Sequence, residues 1–170
     1  MEINAVREYL ELLKTAVSDK DIGAEIQETE DGPVLLFSGK SPFDENEETG
    51  YQLSLIPADN GIIISEVLIF LINGIKEDKF DGVNTLIARI NPYLRLGSFR
   101  FFEDNGSGSV IFAQGTVLDE ELDIAVINSV IGKTVSIMEN TVLNAGEYIY
   151  RYVKGEKLGT LLEEIDREED

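Results

Sequence analysis

The sequence predicts an α+β fold, in which an antiparallel sheet of about five to six strands is flanked by helices in the order α-β-β-β-β-α-β-β-α. Three observations predict this class. In some segments apolar residues recur at spacings of three and four, as on one face of a helix. Other segments are alternating or β-branched apolar runs, which favour strands. Turns rich in glycine, proline and aspartate join those runs, as they join the strands of hairpins.

The first half of the chain is predicted to contain one helix and four strands. The elements are a helix over residues 3–18, strands over 24–26, 34–38 and 51–56, an acidic loop over 41–50, and a long apolar strand over Ile62–Ile72. The last of these is read as a strand because Ile and Val dominate it and a turn signal stands on each side. A strand that continues into a helix from Ser65 is the alternative.

The segment "INPYLRLGSFRFFEDNGSGSVIFAQG", residues 90–115, is predicted to lead from a helix into a hairpin. The helix has Asp81 as its predicted N-cap and ends at Ile90, because Pro92 disfavours helical geometry in the residue before it. The two predicted strands cover residues 98–103 and 110–114. The turn between them, "DNGSGS", contains two glycines, Gly106 and Gly108, which take positive φ without steric cost.

A long helix is predicted after the hairpin, with Asp119 as its N-cap and acidic residues in its first turn. If it were unbroken over residues 120–153, it would run about 50 Å at 1.5 Å per residue. That length exceeds the width of a compact domain of this size. The helix is therefore expected either to break at Gly132 or Gly146, or to pack its far half on something else.

Length and charge limit the domain organisation and the partners. The 170 residues suit one domain, predicted over residues 1–155, followed by an acidic C-terminal helix or frayed tail over 156–170. The 33 acidic and 14 basic side chains give a formal net charge of -19. This charge repels nucleic-acid phosphates and anionic lipids, so neither a nucleic acid nor a membrane is predicted as a partner. It would attract a basic protein segment.

The cytoplasm is the predicted location. Charged residues interrupt the first twenty positions, which therefore do not resemble the apolar core of a signal peptide. The longest apolar run, Val67–Ile72, is far shorter than the ~20 residues of a membrane helix.

The sequence lacks the residues on which many catalytic and metal sites depend. It contains no cysteine and no histidine, which excludes disulfides, thiolate metal sites and imidazole-based triads. The run "GSGSVI", Gly106–Ile111, lacks the third glycine of a dinucleotide fingerprint and precedes a strand. The acidic loop lacks the glycine and the glutamate that a calcium loop places at its sixth and twelfth positions. We therefore predict no enzyme activity, no catalytic or metal-binding residue and no cofactor.

Aromatic and apolar residues supply the candidate partner-binding surface. The candidates lie on the hairpin and along the long helix: Phe102, Phe112, Ile131, Met138, Tyr148, Tyr150 and Tyr152. On the hairpin, one interpretation places Phe99 and Phe101 in the core and Phe102 under a helix. The other, on which the candidate site depends, leaves Phe102, with Phe112 across the hairpin, as part of an exposed apolar strip. The three tyrosines cannot all share one helix face, so at least one is expected to meet solvent or a partner.

The segment "LIARINPYLRLGSFRF", Leu86–Phe101, resembles the part of YbjN-type proteins, a sensory-transduction-regulator-like family, in which a helix ends in an asparagine and leads through a glycine into a strand. That family resembles the class I type III secretion chaperones in fold. The resemblance implies a binding protein rather than an enzyme. The secretion chaperones are acidic homodimers that hold an extended effector segment against apolar patches on sheet and helix.

Two functional hypotheses follow. The leading one is a non-enzymatic protein-interaction module, chaperone-like or regulatory, that binds a protein segment through apolar sheet and helix surface and forms a homodimer. The alternative is a small-ligand sensor domain with a pocket between the sheet and the long helix. A partner of either kind is expected to meet apolar surface rather than a set of catalytic groups.

Overall fold

A six-stranded antiparallel sheet with helices on one face forms the body of the molecule. The computed structural model describes residues 3–18, 23–58 and 61–168. The helices are α1 (Ile3–Ser18), α2 (Phe80–Ile90), α3 (Ile124–Thr141), α4 (Glu147–Val153) and α5 (Leu158–Glu168). The strands are β1 (Ala24–Thr29), β2 (Gly32–Lys40), β3 (Glu48–Ala58), β4 (Ile62–Lys76), β5 (Ser98–Asp104) and β6 (Ser107–Asp119). The predicted α+β class and antiparallel sheet are confirmed.

The strands lie in the order β1-β2-β3-β4-β6-β5. The first four form a meander, and α2 then carries the chain to the far edge, where the β5–β6 hairpin returns β6 to pair with β4. Residues 62 to 76 form one continuous strand, so the strand interpretation of Ile62–Ile72 is confirmed and the helix from Ser65 is wrong. Every position from Ile62 to Phe70 pairs with β6, which fixes an extended backbone.

The hairpin turn is tighter than the sequence predicted. Only Asn105 and Gly106 lie in it, with φ of 49° and 79°, as a two-residue turn with both central residues at positive φ requires. Gly108 belongs to β6 instead, and the reason for a glycine there is close packing. A Cβ atom at position 108 would lie 2.5 Å from the ring of Phe101 and 2.8 Å from that of Phe80.

The side chain of one asparagine, Asn91, connects the end of α2 to β5 by hydrogen bonds. The α2 helix ends at Ile90, as predicted, and Asn91 begins a short 3-10 turn that contains Pro92. The Asn91 side-chain oxygen accepts from the Phe99 N–H and its amide nitrogen donates to the Phe99 carbonyl, both at 2.9 Å. The amide therefore pairs with the outer edge of β5 as a neighbouring strand would.

The start of α2 differs from the prediction. The helix begins at Phe80, after a 3-10 turn over Glu77–Lys79, so Asp81 lies in its first turn rather than at its N-cap. A carboxylate at that position is still stabilised by the positive end of the helix dipole.

The predicted long helix is shorter and starts later than expected. Strand β6 runs on to Asp119, and the N-cap of α3 is Asp123, whose carboxylate accepts from the Ala125 N–H at 2.7 Å. Asp119 makes a similar local bond to the Glu121 N–H, which explains why both aspartates fit a capping pattern in the sequence. Gly132 lies inside α3 and does not break it.

The helix is interrupted close to Gly146, the second of the two predicted break positions. A π-helical turn over Val142–Gly146 separates α3 from α4, and α4 ends at Val153. A Cβ atom on Gly146 would lie 3.0 Å from Phe43 and 3.2 Å from Phe99, so this glycine lets the helical backbone approach the sheet closely.

The last helix packs on the same core. Leu161 and Ile165 of α5 are buried in the cluster that contains the sheet and α2 residues. Arg151 on α4 donates to both oxygens of Glu156 at 2.7 and 2.8 Å, and to Glu164 on α5 at 2.8 Å. These hydrogen bonds raise the pKa of Arg151, so its guanidinium remains charged. Dividing the chain into a domain over 1–155 and a tail over 156–170 stays a prediction.

Candidate functional site

The two faces of the sheet have different surroundings. On one, which we call the covered face, Leu35, Leu53, Ile63 and Val67 are buried beneath the helices, with Leu13 of α1 and Ile131 of α3 against them. Side chains alternate along each strand, so the intervening residues form the opposite face. We call that opposite face the open face, because the described helices pack on the other side of the sheet.

The open face is rich in exposed apolar side chains. Ile56 of β3 is 47% exposed, Ile64 of β4 37% and Val117 of β6 68%. Direct cross-strand pairing places them in one row, because Ile64 lies opposite Ile56 on one side and Val117 on the other. Ile62, Leu68 and Phe70 of β4 and Leu36 of β2 continue this apolar surface, whereas Ile111 and Ala113 of β6 lie on the same face but are only 5% and 2% exposed. An apolar surface of this kind is typical of a binding region.

Few charges lie in the middle of the open face. Arg100 of β5 reaches across β6 to Glu66 of β4, at 3.7 Å, and the strand register places Ala113 of β6 beneath this ion pair. Ala113 is 2% exposed although no described helix covers it. The pair leaves the centre of the face close to neutral.

Acidic residues stand around the edges of this face. Glu25 on β1, Asp31 in the β1–β2 turn, Asp104 at the end of β5 and Asp119 at the end of β6 are all exposed. Beside Asp31 a depression of about 560 Å³ lies at the end of the sheet, lined by Val34 and Ile56 of the open face and by Val6 of α1 on the other side. Lys40 at the end of β2 and Lys76 at the end of β4 are also exposed, so the surface combines an apolar centre with a rim that is mostly negative.

The predicted site residue that lies on the open face is Phe102, which is 51% exposed on the edge strand β5. The strand register pairs Phe102 with Ser109, so the predicted strip with Phe112 is wrong. Phe112 points to the covered face, where its ring meets that of Phe99 edge-on at 4.8 Å, and it is 1% exposed. The alternative that placed Phe102 under a helix is also wrong.

The other predicted site residues lie in or beside the helical layer. Ile131 and Met138 of α3 and Tyr148 of α4 are buried. Tyr150 and Tyr152 are half-buried: the first stacks on Phe43 at 4.9 Å and the second lies 4.4 Å from the Lys79 ammonium. The structure therefore does not bring these five together with Phe102. A role for them in partner binding stays a prediction.

Sequence reasoning missed Ile56, Ile62, Ile64 and Val117. The available signal was "IIIS" at residues 62–65, where three consecutive isoleucines must put apolar side chains on both faces of one strand. A strand that is apolar on both faces needs cover on both sides. The predicted helices were not assigned to faces, so the shortage of cover on one side was not detected.

The covered face contains the second type of candidate site. On one side of α3 a cavity of about 480 Å³ lies above β2 and β3, where the Tyr51 hydroxyl donates to the Glu139 carboxylate at 2.9 Å. Burial, together with the nearby carboxylate, raises the pKa of Tyr51, which keeps the phenol neutral. On the other side of α3 a cavity of about 330 Å³ lies above β6.

Residues 3–18, 23–58 and 61–168 limit the metal chemistry and the membrane contacts that can be considered. In those parts of the chain no group of three or more carboxylates is placed to hold a metal ion. Within the same ranges, no helix is long and apolar enough to cross a membrane.

The architecture defines an α+β protein with a single antiparallel sheet and a one-sided helical layer. Among solved structures it is similar to the crystal structure of YbjN from E. coli, described as "a putative transcription regulator". The similarity covers 87% of this chain and 93% of that one, with a TM-score of 0.50 and 11% sequence identity. The fold is therefore YbjN-like, as the sequence motif predicted. No protein-family model matches the sequence, and no curated protein matches it significantly.

Proposed function

We propose that the protein is a non-enzymatic interaction module whose open sheet face binds an extended protein segment. The observation that carries the proposal is the row Ile56–Ile64–Val117, three large apolar side chains exposed side by side on the inner strands β3, β4 and β6, two residues from one end of each strand. Exposure of such a row to water is unfavourable by roughly 25 cal/mol for each Å² of apolar surface. A partner that covers it gains this free energy.

The negative rim specifies the chemistry of the segment. A chain with apolar residues at the centre and lysine or arginine at both ends would place its charges against Glu25, Asp31, Asp104 and Asp119. A second copy of this protein would instead bring two acidic rims together, each on a molecule of net charge -19. We therefore assign the open face to a basic, apolar segment of another protein rather than to a homodimer.

A regulatory role agrees with the YbjN-like fold if regulation works through proteins. With 33 acidic and 14 basic side chains, the molecule repels the phosphate backbone on which direct DNA binding depends. Regulation through a bound protein segment needs no contact with DNA. A chaperone-like role, in which the segment is held extended, uses the same surface.

The test measures binding of a fluorescent peptide whose apolar residues alternate with polar ones and whose ends carry lysines. We expect saturable anisotropy changes with the natural protein and a loss of binding of tenfold or more in a double variant, Ile64→Asp with Val117→Asp. A matched control introduces the same charges on exposed helix positions, as Leu12→Asp with Val126→Asp, which are 55% and 45% exposed. The control should bind as the natural protein does.

Two results would overturn the proposal. One is an absence of saturable binding, or equal loss in both double variants, which would show a general charge effect. The other comes from sedimentation: a dimer that only the open-face variant dissociates would show that a second copy occupies this face.

The small-ligand sensor stays the second candidate, and the cavities on either side of α3 are the observation that favours it. They lie on the covered face, away from the surface assigned to the segment.

A further inference from the structure

The cavity between β6 and α3 has the size and lining of a small-molecule site. Its volume of about 330 Å³ lies at the lower end of the range for ligand pockets, roughly 300 to 1,000 Å³. Phe112 and Met138 form apolar walls, and Gln114 and Thr134 supply polar groups. None of the described lining residues carries a charge.

Gln114 supplies an unused hydrogen-bond acceptor. Its side-chain nitrogen donates to the Gly115 carbonyl at 2.8 Å, which fixes the orientation of the amide. Its side-chain oxygen, Oε1, is buried from solvent and has no hydrogen-bond partner among the described residues. A buried acceptor without a donor is unfavourable, and native structures rarely leave one in that state. A bound molecule with an N–H or O–H group would satisfy it once the Gln114 side chain turns this oxygen toward the cavity, because the oxygen has almost no accessible surface in the empty cavity.

The entrance to the cavity is apolar. Leu96, in the loop before β5, and Ile137 on α3 both line it, and they are 49% and 47% exposed. Large apolar side chains on both sides of an opening favour entry of an apolar molecule over a strongly hydrated one.

Charge excludes the ionic alternatives. The net charge of -19 opposes the entry of an anion, and the uncharged lining offers it no cationic partner. A cation would find no carboxylate in the described lining. Burying an unpaired charge of either sign costs far more than burying a neutral group.

We propose that this cavity binds a small uncharged molecule with an apolar, flat or compact body and one N–H or O–H donor, which bonds to Gln114 Oε1. Gln114, Gly115 and Thr116 line the cavity from β6, whereas the side chain of Val117 lies on the open face. The site is thus separate from the surface assigned to the protein segment. It gives the small-ligand hypothesis a specific ligand class and does not depend on segment binding.

Met138 provides a direct reporter for the test. The chain has two methionines, Met1 and Met138, and Met138 is 1% exposed in the cavity wall. In protein labelled with ¹³C at the methionine methyl groups, indole should produce a saturable shift of the Met138 signal, which a Met138→Leu variant identifies. Benzofuran, which has nearly the same shape but no donor, should bind about tenfold more weakly.

Variants test the role of the amide. Gln114→Leu should remove the preference for indole over benzofuran, while Gln52→Leu, the same change at a half-buried position of the open face, should keep it. The comparison of the two probes on the natural protein needs no variant, so it decides the question even if Gln114→Leu fails to fold. No saturable shift of Met138, or equal affinity for both probes, would overturn the proposal. Both outcomes leave the peptide experiment unaffected.

Discussion

Three consecutive isoleucines show how differently the two faces of the sheet are used. Ile63 points to the covered face and is 0% exposed, whereas Ile62 and Ile64 point to the open face and are 36% and 37% exposed. The three side chains are chemically identical and belong to one central strand. Only the helical layer distinguishes them. Burial on the covered face stabilises the fold, while the open face keeps apolar surface that the isolated molecule leaves partly in water.

The largest expected effect tests this difference directly. Ile63→Ala should lower the free energy of unfolding by about 2–5 kcal/mol, because it removes buried methyl groups and leaves a cavity. Ile64→Ala, one residue along, should cost less than about 1 kcal/mol. Urea denaturation of both variants measures the two values. Similar losses would mean that Ile64 is covered in solution, and the assignment of an open face would then be wrong.

A smaller effect is expected from two side-chain amides, one bonded to the backbone at the edge of β5 and the other lying on the open face. Asn91→Ala removes both hydrogen bonds to the backbone of Phe99, which is itself 1% exposed. The change should lower the free energy of unfolding by about 2 kcal/mol. Gln52 lies on the open face, where its side-chain nitrogen donates to the Ser54 hydroxyl over a long distance of 3.4 Å. Gln52→Ala should therefore change stability by less than about 0.5 kcal/mol. Equal effects in the denaturation curves would remove the special role of Asn91 at the edge of β5.

Much of the architecture was predictable because its signals are local. The spacing of Val6, Leu10 and Leu13 predicts α1, and Pro92 predicts the end of α2, since both depend on neighbours along the chain. Cap positions were less predictable, because Asp119 and Asp123 both bond to a backbone N–H two residues on. Local chemistry alone does not determine which of the two begins the helix.

The candidate site was mostly beyond sequence reasoning. Phe102 was identified and lies on the open face, but Phe112 was assigned to the same strip because the strand register was unknown. A register shift of one residue moves every side chain to the other face. The exposure of Ile64 and Val117 depends on where five helices pack, which is a property of the whole fold.

The smallest effect compares two arginines, one on each side of the sheet. Arg151 makes short hydrogen bonds to Glu156 and Glu164 within the helical layer, whereas Arg100 makes a single 3.7 Å contact with Glu66 on the open face. Arg151→Gln should cost about 1 kcal/mol, because paired carboxylate contacts of this geometry are among the stronger ion pairs. Arg100→Gln should have almost no effect on unfolding, since exposed pairs contribute ~0–1 kcal/mol.

The pH dependence of the Arg151 effect follows from its partner. Hydrogen bonds from Arg151 hold the pKa of Glu156 below its ordinary value of 4.5. Folded Glu156 therefore binds a proton less readily than it does in the unfolded chain, so its contribution to stability is present above that ordinary value. The contribution is lost as the pH falls through the lowered pKa. Denaturation at neutral pH and at about pH 3 should show the difference between natural protein and Arg151→Gln shrinking on acidification. A difference that stays constant would show that Arg151 acts through packing of its stem on α4 and not through the carboxylates.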